Sequence, residues 1–111
     1  MDLQTARIIA LSFDEAEELP HFEKPSFRIK KKIFATLDEK KTRVVIKLSE
    51  TDQSVFCSYD KTVIYPVNGA WGKQGWTIIE LDKVRDDIFR DAITTAYCTV
   101  APKKLAEKYT L

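Results

Sequence analysis

The apolar residues of this chain change period twice, and that change restricts the folds open to it. Leu3, Ala6, Ile9, Ala10 and Phe13 recur at helical spacing. From Ser26 onward the apolar positions alternate, as Phe27 and Ile29, then Ile33, Ala35 and Leu37, then Val44, Ile46 and Leu48. Helical spacing returns with Val84, Ile88, Phe89, Ala92, Ile93, Ala96 and Val100. A period near 3.6 gives a helix one apolar stripe, and a period of two gives a strand one apolar face. Helix, then strands, then helix predicts an α+β fold, an antiparallel β-sheet with helices packed on one face. A parallel doubly wound fold is excluded by too few crossovers.

The boundaries follow from local chemistry. Asp2 can cap a helix over residues 3 to about 12. Pro20 and Pro25 disfavour helix at Leu19 and Lys24, which makes His21 to Lys24 an extended connection where the sheet should begin. Asp38-Glu39-Lys40-Lys41 interrupts two β-rich runs at hairpin length, so strands at 33–37 and 42–48 should pair antiparallel, with Arg43, Val45 and Lys47 on the wet side. Ser49, followed by Glu50 and Asp52, reads as the start of a short helix reaching about Cys57. Thr62 to Tyr65 and Trp76 to Leu81 read as two more strands, separated by a Pro66 to Gly75 loop that holds all three glycines. Asp82 is the expected cap of the main core helix, and Pro102 the first turn of a final one.

With 111 residues, 44% of them hydrophobic, the chain is the size of one ordinary domain with its own core, and residues 1–111 are read as such. No run approaches the ~18 apolar residues of a membrane span. The N-terminus has no basic region ahead of its short apolar run and no small-residue cleavage site, so the expected location is cytoplasmic. Cys57 and Cys98 lack paired spacing and read as two buried, reduced thiols.

Charge is unevenly distributed. Lys24 to Lys47 holds nine of the eighteen Lys and Arg residues against two acids, a local net charge of +7 inside an overall +1, whereas the first 23 residues carry −5. Arg28, Lys30, Lys31, Lys32, Lys40, Lys41, Arg43 and Lys47 therefore form a candidate phosphate-contacting ribbon; the competing reading is a solubilising edge in which lysine blocks strand-to-strand association. Lysine cannot make arginine's planar two-pronged contact, so backbone contact is favoured over base reading. Trp71 and Lys73 join the candidates because three glycines and both tryptophans crowd between Asn68 and Trp76, without the spacing of either standard phosphate loop. Trp76 reads as a sheet or core residue. The acids Asp14, Glu15, Glu17, Glu18 and Glu23 read as a solvated helix end rather than a cation site, and His21 is assigned no chemistry. No nucleophile, base and anion-stabilising loop are paired in the sequence, so no enzyme is expected, and neither a cofactor nor a metal.

Pro25-Ser26-Phe27-Arg28-Ile29 leading into Lys32-Ile33-Phe34-Ala35, a basic hairpin, Gly75-Trp76 opening a strand, and Ala96-Tyr97 before Lys104-Leu105 in a closing helix resemble the bacterial MmcQ/YjbR family from about Leu3 to Tyr109. In that family a glycine usually precedes the lysine of the K-x-F-A element; here Lys31 precedes Lys32. The resemblance implies a small fold like that of frataxin-like CyaY and a double-wing mode of DNA binding. It assigns Lys32, Gly75 and Trp76 to family positions and offers the acidic segment as an iron-binding ridge. The resulting expectation is a nucleic-acid-binding protein, with double-stranded DNA as partner and low sequence selectivity. The alternative is a protein-interaction module in which the basic hairpin meets the acidic Asp14 to Glu23 segment of another molecule, a homodimer or a protein partner, with no membrane involved.

Overall fold

The structure is a computed structural model describing residues 1–110. The chain folds as α1 (Leu3–Leu11), β1 (Glu17–His21), β2 (Lys24–Ile29), β3 (Lys32–Asp38), β4 (Arg43–Lys47), α2 (Glu50–Cys57), β5 (Ile64–Pro66), α3 (Ala70–Lys73), β6 (Trp76–Glu80), α4 (Asp86–Val100) and α5 (Lys103–Ala106). The six strands form one antiparallel sheet in the order β1-β2-β3-β4-β6-β5. The α+β class and the one-sided placement of the helices are as expected.

One face of the sheet is the core. Phe27, Ile29, Ala35, Leu37, Val44, Ile46, Ile64 and Ile79 point from it against Ala6, Ile9 and Ala10 of α1 and Phe89, Ala92, Ile93 and Ala96 of α4, all of them buried. Asp2 caps α1 by accepting from the Thr5 amide at 2.7 Å, and Ser49 caps α2 by accepting from the Asp52 amide at 3.1 Å. The aromatic end of the core is built on Tyr97, which stacks on Phe13 at 4.7 Å and meets Phe34 and Tyr109 edge-on at 5.5 and 5.2 Å. Its hydroxyl donates to the Asp14 carbonyl at 2.7 Å, and burial pushes its pKa up to about 12.

Five local expectations are corrected. The acidic stretch is not a helix end: α1 stops at Leu11, and Glu17 to His21 form an edge strand with no buried residue. With no apolar alternation this strand leaves no period-two signal, and Pro20 is tolerated because an edge strand has an unpaired side. The sheet therefore begins at Glu17, not at His21. Ile33 does not share the core side of Ala35. Between Phe27↔Ala35 and Arg28↔Ile33 the register shifts by one, Phe34 is the extra residue, and this bulge turns Phe34 into the core and Ile33 out of it. Asp82 lies in a turn and α4 opens after Arg85, with Asp86 and Asp87 in its first turn. Within the Pro66 to Gly75 loop, α3 forms one short helical turn. Cys57 and Cys98 are free but only half-buried, and burial raises both thiol pKa values.

Candidate nucleic-acid interface and the open face of the sheet

The meander β1-β2-β3-β4 divides the basic ribbon between the two ends of the sheet. Lys30 and Lys31 make the β2–β3 turn, while Lys40 and Lys41 lie in the β3–β4 turn. The seven residues of β3 separate the two turns by roughly 20 Å at ~3.3 Å per residue. Many of the nine cations are also engaged within the fold. Lys24 pairs with Asp38 at 3.3 Å, Lys30 with Glu15 at 2.7 Å, and Arg43 with Glu80 at 2.9 Å. Arg28 donates to the Ser26 hydroxyl at 3.0 Å, and Lys47 donates to the Gln74 carbonyl with its ammonium 5.4 Å from the centre of the Trp76 ring. Burial pushes the Glu80 carboxyl up, but the Tyr65 hydroxyl and the Arg43 guanidinium outweigh it and hold its pKa below the ordinary value. Among the described residues, Lys31, Lys32, Lys40 and Lys41 have no side-chain partner, and all four are exposed.

Among the described residues, the other face of the sheet carries no helix layer. Ile33 and Thr36 of β3, Val45 of β4 and Trp76 of β6 form the floor of a groove of about 740 Å³. His21, Phe22, Glu23 and Lys24 of the β1–β2 hairpin wall it on one side, and Val67 and Trp71 on the other. Phe22 is 92% exposed at φ 57°, and Trp71 is 62% exposed. Val45 thus lies on the side expected to be wet, but on a half-buried apolar floor. Trp76 is the expected sheet residue; Lys73 is exposed on α3, two residues after Trp71, and does not line the groove. Sequence reasoning missed Phe22, Ile33 and Val45 as groove residues, since the bulge and the strand order bring them together.

Three of the acidic residues meet cations of the same chain. Glu18 lies 3.1 Å from Arg7, Glu15 pairs with Lys30, and Asp14 pairs with Lys108. The family model for YjbR matches residues 11–99. The chain belongs to the YjbR family. In three dimensions this YjbR chain is similar to the crystal structure of Deinococcus radiodurans protein DR2400, whose domain is DUF419, with a TM-score of 0.79, 16% identity, and coverage of 97% of this chain and 87% of that one. No curated protein matches the sequence. No helix among the described residues is long and apolar enough to cross a membrane.

Lys31, which stands where the family resemblance implies a glycine, keeps the turn tight. Lys30 and Lys31 both take positive φ, 51° and 70°, the signature of a two-residue type I′ turn. A side chain there costs about 1 kcal/mol or more relative to glycine. Lys31→Gly should therefore stabilise the YjbR fold by about 1 kcal/mol, read as a higher urea midpoint at unchanged slope.

Asp14, at the start of the acidic segment, anchors the C-terminal end of the YjbR fold. Its amide donates to the Tyr109 hydroxyl at 2.9 Å, and the Lys108 ammonium beside its carboxylate holds that pKa low. Asp38, Asp60 and Glu80 are depressed as well. A carboxyl depressed in the folded state adds stability above its unfolded pKa, near 4, and loses it as pH falls through the folded value. Urea midpoints should be flat from about pH 8 to 5 and fall steadily below about pH 4.

Proposed function

We propose that this YjbR protein binds nucleic acid with low sequence selectivity, gripping duplex phosphates with two lysine-bearing turns at opposite ends of β3. The observation that carries this reading is the set of four exposed lysines, Lys31, Lys32, Lys40 and Lys41, without partners among the described residues in a fold that engages neighbouring cations internally. Two turns roughly 20 Å apart exceed the ~12 Å width of the major groove, so each meets its own stretch of phosphates. Lys31 held left-handed where glycine is free of strain supports the same reading, because strain kept at an exposed turn points to a role for the side chain.

Four or five phosphate contacts give a log-log salt slope near −4. Fluorescence anisotropy with a labelled duplex of about 20 base pairs, from low to physiological salt, should return that slope; no binding at low salt rejects the reading. The rival, a basic hairpin meeting the acidic segment of a second molecule, is weakened by the internal use of Asp14, Glu15 and Glu18. A salt-sensitive dimer in size-exclusion with light scattering would restore it.

A further inference from the structure

We propose that the open face of the sheet is a platform for single-stranded nucleic acid, with bases stacked in the groove between Phe22 and Trp71. This rests on the nucleic-acid reading above but concerns a different surface from the lysine turns. Three observations carry it. Both tryptophans of the chain line the groove, Trp71 largely exposed and Trp76 on the floor, so flat aromatic surface is present where planar bases could lie. Phe22 stands almost fully exposed in the left-handed region, an arrangement that costs a bulky residue free energy; its ring meets that of His21 edge-on at 4.7 Å and is otherwise open to solvent. The charge around these rings leaves room for an anionic chain: of the described residues Glu23 is the one carboxylate lining the groove, Lys24 beside it is paired with Asp38, and Lys47 holds its ammonium 5.4 Å from the centre of the Trp76 ring.

Aromatic faces beside a cationic track bind single strands because every base has a π-face and every linkage a negative charge. A sheet face of this kind stacks about two or three bases elsewhere. A duplex cannot use the groove, since its bases already stack on one another. An aliphatic peptide would bury the same floor but would bring no negative charge to Lys47 beside the Trp76 ring.

The test is a titration of the full chain with an oligothymidine of about ten nucleotides and, separately, with the duplex, reading oligonucleotide anisotropy and intrinsic tryptophan fluorescence together. Strand binding should quench the tryptophans. Trp71→Ala and Phe22→Ala should each weaken it about tenfold while leaving duplex affinity unchanged, and because both side chains are exposed the variants should melt with the parent. Strand binding without quenching, or with equal loss of duplex binding in either variant, overturns the platform and leaves the turn reading intact. Absence of binding to either nucleic acid overturns both. A strand that quenches and depends on Trp71, in a protein that ignores duplex, supports the platform and removes the turns.

Discussion

Replacing Lys31, Lys32, Lys40 and Lys41 together with alanine is expected to flatten the salt slope of duplex binding by about three to four. A slope of that size corresponds to roughly a hundredfold change in affinity across a fourfold range of salt, so the variant should show little salt dependence. The fold should survive, because none of the four side chains has a partner among the described residues and all are exposed. Splitting the set tests the geometry. Lys31 with Lys32 and Lys40 with Lys41 should each account for about two units if both turns reach phosphates, and one pair should account for nearly everything if a single turn does. An unchanged slope in both pairs removes the turns from the interface. Arg43 is a poor choice for this test: removing it leaves the half-buried Glu80 with Tyr65 as its remaining direct partner, so stability and binding would change together.

Gly75→Ala is expected to destabilise the protein by about 3 kcal/mol or more, lowering Tm by roughly 12 °C or more. Two effects combine. Gly75 sits at φ 104°, where an L side chain is strained, and a Cβ there would lie 1.9 Å from the Leu48 carbonyl oxygen. That oxygen belongs to backbone running directly on from β4, and the Leu48 amide itself donates to the Gly75 carbonyl at 3.0 Å, so neither partner can retreat without breaking the β4–β6 pairing. Gly72→Ala should be of similar size, since its Cβ would lie 1.9 Å from the Val67 carbonyl oxygen. Gly69 meets nothing within 4 Å, although its φ of 77° still disfavours a side chain. Differential scanning calorimetry of the three variants separates these cases: Gly69→Ala should cost about 1 kcal/mol, and equal losses at all three positions would show that close backbone approach is not the cause.

These contacts also explain why the glycines crowd together. Gly72 and Gly75 let α3 lie against the Val67 strand end and the end of β4, and Gln53 of α2 fastens the arrangement by donating to the Gly72 carbonyl at 2.9 Å and the Thr77 hydroxyl at 3.1 Å. The most unusual segment of the sequence is thus a packing device that presents Trp71 at the groove edge. Trp71 is visible as a candidate in the sequence, but its counterpart Phe22 is not, because an aromatic residue between Pro20 and Pro25 carries no periodic signal.

Local patterns in the chain suffice for the class of the fold, the hairpin of β3 and β4, the caps at Asp2 and Ser49, and the stripe of α4. Each depends on interactions within a few residues, which hydrophobic period and capping chemistry express directly. Where the charge is available, and which side Ile33 takes, depends on the folded chain as a whole. Lys30 and Lys31 differ by one position in a run of lysines, yet only the fold brings Glu15 to the first and leaves the second free. Likewise a single bulge at Phe34 turns one apolar residue into the core and its neighbour onto the open face. Pair formation and register depend on residues distant in the chain, and a one-residue shift in a period of two reverses a side chain's face, so no local pattern carries that information.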